Sequence, residues 1–164
     1  MSRAQNGVEL AAILGQLLSE RGWTLSTAES CTGGLLGHWL TEVSGSSGYY
    51  MGGVIAYADE VKRNQLGVSD ADIARYGAVS EPVARAMAQG ICQALSTEIG
   101  LSVTGIAGPT GGTAQKPVGT VYLGVSSPMG VRVEHHVWPH DRSGNKTASA
   151  LRVLEMAIEW LRDA

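Results

Sequence analysis

Between Val8 and Leu18 the apolar side chains (Val8, Ala11, Ala12, Leu14, Leu18) return at helical spacing, and Gly22 stands where a C-cap would end the helix. The period then shortens. Trp23, Leu25 and Thr27 alternate with smaller residues as in a strand, which runs into SCTGG and a second helix through Leu35, Leu36, Trp39 and Leu40. Ser30 therefore falls at a strand-to-helix turn. SGSSG at 44–48 is a loop by composition, GGVIAYA reads as a short buried strand ending near Tyr57, and DEVKRNQLG as one or two helical turns closed by Gly67. Ser80 to Glu98 reads as a helix with Ser80 as N-cap, Pro82 in the first turn, and Val83, Ala86, Met87, Ile91, Ala94 and Leu95 on one face. IGLSVTGIAG is a further strand ending in glycines, and GPTGGTAQKP is a loop. GTVYLGVSS and VRVEHHVW pair as a hairpin across a turn with Pro128 at i+1 and Gly130 at i+3. A last helix over Ser143 to Arg162 turns Ala150, Leu151, Leu154, Ala157, Ile158 and Leu161 inward. This order of helices and strands implies a layered α/β domain with a mixed sheet.

The length of 164 residues suits one domain, 1–164, able to bury a real core. With 44% hydrophobic and 16% charged residues the chain is too apolar for disorder. A net charge of -3 without a basic block argues against nucleic acid or an anionic membrane as the main partner. Charges at Glu9, Glu20 and Arg21 break the N-terminal apolar run, which reads as an amphipathic helix and not a signal sequence; no stretch reaches the ~20 apolar residues of a membrane span. The expected compartment is the cytoplasm, with Cys31 and Cys92 reduced. Oligomeric state is open, a homo-oligomer included.

The TAESCTGG loop sets a hydroxyl, a thiol and two glycines at a strand end, where amides opening the next helix favour negative charge, as in an oxyanion hole. The bland alternative is an N-cap followed by glycines for tight packing. GxSxG and GxxxxGK[ST] are both missing, so neither a nucleophile-elbow hydrolase nor a phosphate-loop nucleoside triphosphatase is supported. SGNK at 143–146 satisfies SxxK, but its companion motifs are lacking and Ser143 reads as a helix-start residue. His135 and His136 point to opposite faces of a strand, so with His140 they describe a solvated edge; no metal site is expected. Cys31 reads as a small buried filler. Lys62 and Arg63, taken alone, are an ordinary solvated helix face.

Five strings, AESCTGG at 28–34, GGVIAYADEVK at 52–62, GAVSEPVA at 77–84, TGIAGPTGG at 104–112 and KPVGTVYLG at 116–124, closely resemble the C-terminal domain family of the competence and damage-inducible CinA proteins. The resemblance runs in order over nearly the whole chain. It has no counterpart to the N-terminal domain of the larger family members. In bacteria the family is associated with nicotinamide-nucleotide amidohydrolase, or NMN deamidase. The resemblance implies a three-layer α/β/α sandwich. It also implies hydrolysis of the carboxamide of nicotinamide mononucleotide to nicotinate mononucleotide and ammonia, a product that feeds NAD resynthesis. By motif position the family nucleophile is Ser30, its base Lys62, and the tyrosine of the same string Tyr57. Cys31, Thr32, Gly33, Gly34, Thr104, Gly105, Ala107 and Gly108 fall in the substrate-binding strings. Arg142 answers to the family's DR pair, although WPHDRSGNK is a poorer match, with His140 where relatives carry glycine.

The chemistry fits that implication. An amide is a poor electrophile, so an attacking serine needs a base and oxyanion donors, and a lysine serves as base only when largely neutral. Desolvation or a nearby cation is expected to lower the Lys62 pKa, with Arg63 or Arg142 as the source of the positive field, while Tyr57 shares or orients the proton and Thr104 offers a hydroxyl donor. Arg142 is the candidate for the ligand's phosphate. No cofactor or metal is called for, and the expected partner is a small-molecule mononucleotide. Two other readings stand: a catalytically silent nucleotide-binding homologue, and a DNA-uptake or repair protein, which the acidic balance disfavours.

Overall fold

The strand β1 (Leu25–Glu29) is buried along its whole length, and this places it inside the sheet. The structure, a computed structural model, describes residues 3–164. Its sheet runs β2 (Tyr50–Ile55), β1, β3 (Ile99–Gly105), β4 (Thr120–Ser127), β5 (Gly130–Val137). The first three strands are mutually parallel, β4 runs antiparallel to β3, and β5 antiparallel to β4. The helices α1 (Arg3–Arg21), α2 (Leu35–Thr41) and α6 (Arg142–Arg162) pack together on one face through Leu14, Leu18, Trp39 and Leu154. On the other face α3 (Asp59–Leu66), α4 (Asp70–Tyr76) and α5 (Glu81–Leu95) enclose a smaller core of Leu66, Val83, Met87 and Ile91. The result is the three-layer α/β/α sandwich. From β1 the chain passes through α2 to β2 on one side, then crosses to β3 on the other. Ligands of open α/β sheets bind at the carboxyl ends of strands where the order reverses in this way.

Several elements depart from the sequence expectation. β2 is an edge strand whose residues alternate between half-buried and exposed; it was expected to be buried because its apolar content resembles an inner strand. Trp23 lies before β1. The helix expected to reach Glu98 stops at Leu95, since Ser96 takes a left-handed φ of 53° and the Glu98 carboxylate accepts hydrogen bonds from the Thr24 amide (2.7 Å) and hydroxyl (2.8 Å). Ser80 holds the N-cap position, but its hydroxyl donates to the Gly77 carbonyl and caps no helix amide. α6 is capped by Asp141, which accepts from the Gly144 amide at 2.8 Å, so Ser143 belongs to the first turn and is not the starting residue. α4 had no counterpart in the pattern, because none of its residues is buried and it presents no apolar face to read. Its signal was Ser69, which accepts from the Asp72 amide.

One glycine sets the distance between the two helices that matter most for the site. A methyl group on Gly90 of α5 would collide with the Leu66 carbonyl at the end of α3. Gly90→Ala is therefore expected to displace α3 and to cost ~1–3 kcal/mol of stability, as overpacking does, measurable by urea unfolding. An unchanged midpoint would show that α3 adjusts freely.

Candidate active site

Ser30 follows β1 directly, in a turn to α2 that needs two successive left-handed residues, Gly33 (φ 61°) and Gly34 (φ 105°). This is the conformational use of the paired glycines in TGG. The Ser30 amide donates to the Val103 carbonyl of β3 at 2.9 Å, and the Gly33 amide returns to the Ser30 carbonyl at 3.1 Å, so the nucleophile candidate stands on a braced turn.

Lys62 reaches it from the opposite layer. One turn of α3 brings its side chain back under the end of β2, where it is only 1% exposed. Its Nζ lies 3.2 Å from Ser30 Oγ, 2.9 Å from the Ala56 carbonyl and 3.2 Å from the Tyr57 carbonyl, with Asp59 Oδ1 at 3.7 Å. A neutral amine has two N–H bonds and one lone pair. With the two carbonyls taking the N–H bonds, the lone pair is left facing the serine hydroxyl. Burial pulls the Lys62 pKa below the ordinary lysine range, while the Asp59 carboxylate pushes in the other direction. The ammonium formed by accepting a proton keeps both carbonyls as acceptors. The expected cationic field from Arg63 is not what lowers this pKa, for Arg63 pairs with Asp70 of α4 at 2.5 Å.

Removing the Asp59 charge isolates these opposing effects. In Asp59→Asn the carboxylate that favours the ammonium is gone, so the acid limb of a kcat/KM profile should move to lower pH; a limb moving upward would exclude Lys62 as the titrating group.

Ser30, Cys31, Tyr57, Lys62, Thr104, Gly105, Ala107, Gly108 and Arg142 line one cavity of about 350 Å³, with Asp59, Ala78 and Gly111. Four expectations need correction within and around it. The Tyr57 hydroxyl does not meet Lys62: the side chain is 63% exposed and its hydroxyl accepts from Arg142 at 3.3 Å, so Tyr57 orients the amine through its backbone carbonyl. The single O–H of Thr104 donates to the Ala78 carbonyl at 2.9 Å and is not free for a ligand. Thr32, Gly33 and Gly34 line a different cleft, with His38, Ser143 and Lys146. Finally, the amides opening α2 do not form an oxyanion hole, because the Glu29 carboxylate accepts from Gly34 (3.0 Å), Leu36 (3.2 Å) and Gly37 (3.1 Å). Among the described residues the amides of Cys31, Ala107 and Gly108 donate to no other residue.

Cys31 is a buried thiol pushed up to about 11 by burial, and so stays protonated at neutral pH, in keeping with the filler reading. Arg142, at the first position of α6, donates to the Gly108 carbonyl at 2.7 Å and so joins the glycine loop to the rim. Asn145, one turn on, holds the Ala107 carbonyl at 3.0 Å. Sequence reasoning missed Asn145, Asp59 and Glu29; the last two stood inside the recognised strings. The histidines of β5 are engaged elsewhere, His135 stacked on Tyr122 and His136 on Trp138 and bonded to Glu134.

Fold and site together define a class: a mixed-sheet α/β/α domain with a buried serine–lysine pair at the strand ends. The family model described as CinA C-terminal domain matches residues 8–162, and the chain belongs to that family. A CinA-like protein of Salinibacter ruber is 52% identical over 94% of this chain and 37% of its own length, and one of Nostoc sp. is 58% identical over 75% and 29%. The chain thus spans about a third of the curated relatives it matches. Among solved structures it is similar to the competence/damage-inducible protein CihA from Agrobacterium tumefaciens, at 39% identity and a TM-score of 0.88, covering 94% of each chain. A CinA superfamily protein from Klebsiella pneumoniae is similar at 31% identity and a TM-score of 0.92, covering 96% of this chain and 99% of that one.

Proposed function

We propose that this domain hydrolyses the carboxamide of nicotinamide mononucleotide, giving nicotinate mononucleotide and ammonia. The observation that carries the reading is the 3.2 Å approach of Ser30 Oγ to a lysine amine that is buried and held by two carbonyls. Ser30 Oγ attacks the carboxamide carbon and its proton passes to Lys62. The tetrahedral oxyanion is met by backbone amides of the pocket, with Cys31, Ala107 and Gly108 as the candidates. Lys62 returns the proton to the departing nitrogen, ammonia leaves, and an acyl-serine remains. Water then attacks that ester and gives its proton to Lys62, which passes it to Ser30 Oγ as the acid departs, leaving Ser30 a hydroxyl and Lys62 a neutral amine. Each proton transfer passes through Lys62.

Arg142 suits the phosphate of the ligand, since its guanidinium is exposed at the cavity rim and presents five donors, of which two are engaged. Arg142→Lys is expected to raise KM more than it lowers kcat; the reverse would assign Arg142 to the chemical step. The deciding experiment is ammonia release from nicotinamide mononucleotide by the purified protein without added metal. Binding of the mononucleotide without ammonia release would favour the silent nucleotide-binding homologue. Salt-sensitive DNA binding would favour an uptake or repair role.

A further inference from the structure

Glu29 is a buried carboxylate, 2% exposed, with no arginine, lysine or histidine within ion-pair distance among the described residues. A charge withdrawn from water in this way is costly unless hydrogen bonds replace the solvent. Here the replacement is made by three backbone N–H groups: Oε2 accepts from Gly34 and Leu36, and Oε1 from Gly37. Both oxygens face donors. That arrangement requires a group that only accepts, which a carboxylate is and a carboxamide is not.

The main chain of the same residue reaches the other half of the site. The Glu29 carbonyl accepts from the Ala56 amide at 2.7 Å, and the Ala56 carbonyl in turn accepts from Lys62 Nζ at 2.9 Å. The side chain therefore ties down the far end of the turn that carries Ser30, while the backbone ties down the segment that holds the amine. On the reading of Ser30 and Lys62 as nucleophile and base, we propose that Glu29 is the positioning residue of the pair, setting the distance between them and occupying the α2 amides so that no substrate anion binds there.

A displacement of about 1 Å at a reacting group can cost on the order of 100-fold in rate. Glu29→Gln turns a donor NH2 toward backbone N–H groups, and the turn must shift. The expected result is a folded protein with kcat lowered roughly 30- to 100-fold and KM within about threefold of wild type. The second readout is independent of the natural substrate: the rate at which a fluorophosphonate labels Ser30, a step that forms an O–P bond, expels fluoride and passes the hydroxyl proton to Lys62. Labelling should slow in parallel with kcat. Glu29→Asp stays acceptor-only but cannot span all three amides, and it should show a smaller loss in both readouts.

The proposal is overturned if folded Glu29→Gln keeps wild-type kcat and labelling, or if KM rises at constant kcat, which would put Glu29 in contact with substrate. If Glu29→Gln does not fold, wild-type kcat and labelling in Glu29→Asp overturns it. Wild-type protein that is labelled but releases no ammonia defeats the substrate assignment alone, and the labelling comparison then decides about Glu29. Wild-type protein that is not labelled at Ser30 removes the pair and the proposal with it.

Discussion

Ser30→Ala is expected to abolish ammonia release, with kcat falling by at least about 10³-fold and the fold intact, because the residue carries no structural hydrogen bond through its side chain except that to Lys62. Its backbone amide, which braces the turn against Val103, is unaffected by the substitution. Circular dichroism and a thermal melt check the fold, and single-turnover assays check the rate. Retention of more than about a tenth of wild-type kcat would exclude an acyl-serine at this position. Cys31→Ala is the companion experiment. The neighbouring thiol is pushed up to about 11 by burial and is a poor nucleophile at neutral pH, so this variant should keep measurable turnover. A dead Cys31→Ala beside an active Ser30→Ala would hand the reaction to the thiol.

Lys62→Arg should be nearly inactive, by a factor comparable to that of Ser30→Ala, since a guanidinium does not lose its proton near neutrality. Lys62→Met should be equally impaired, having no proton acceptor at all. On the proposed reaction, the same residue predicts a pH profile for the wild-type protein. Burial lowers the Lys62 pKa below its ordinary value near 10.4, the active form is the neutral amine, and kcat/KM should therefore fall as pH drops through that lowered value. A Lys62→Arg enzyme with near wild-type rate would show that positive charge, and not proton abstraction, is what this position contributes.

How far these assignments could be read from residues differs from one to the next. The five strings located Ser30, Lys62 and the glycine loop, and the structure brings them around one cavity. Helical periodicity located α5 and α6 within a few residues, because each buries one face with a regular repeat; β1 was legible as an alternation although both of its faces are buried, and α3, whose buried residues are Lys62 and Leu66, through its closing glycine. α4 escaped because it has no buried residue. Lys62 without the family strings is an ordinary helix lysine. Its burial follows from α3 packing against α5, where the absence of a side chain at Gly90 lets the Leu66 carbonyl approach, and helix periodicity does not report a contact between two separate helices.

Glu29 marks the same boundary at closer range. Its partners lie only five to eight residues ahead, yet whether a carboxylate turns back on the amides of its own loop or outward to a ligand depends on how deeply the strand end is covered. The strands that flank β1 on either side, β2 and β3, are reached by the chain only after that loop. By itself the sequence determined the elements with a repeating apolar face, the glycines needed for left-handed turns, and the strings that mark the family. Only the tertiary structure decided which donors remain free and which lysine is dehydrated. Those properties depend on the water that distant segments exclude, and solvent exclusion is a property of the assembled layers and not of any one segment.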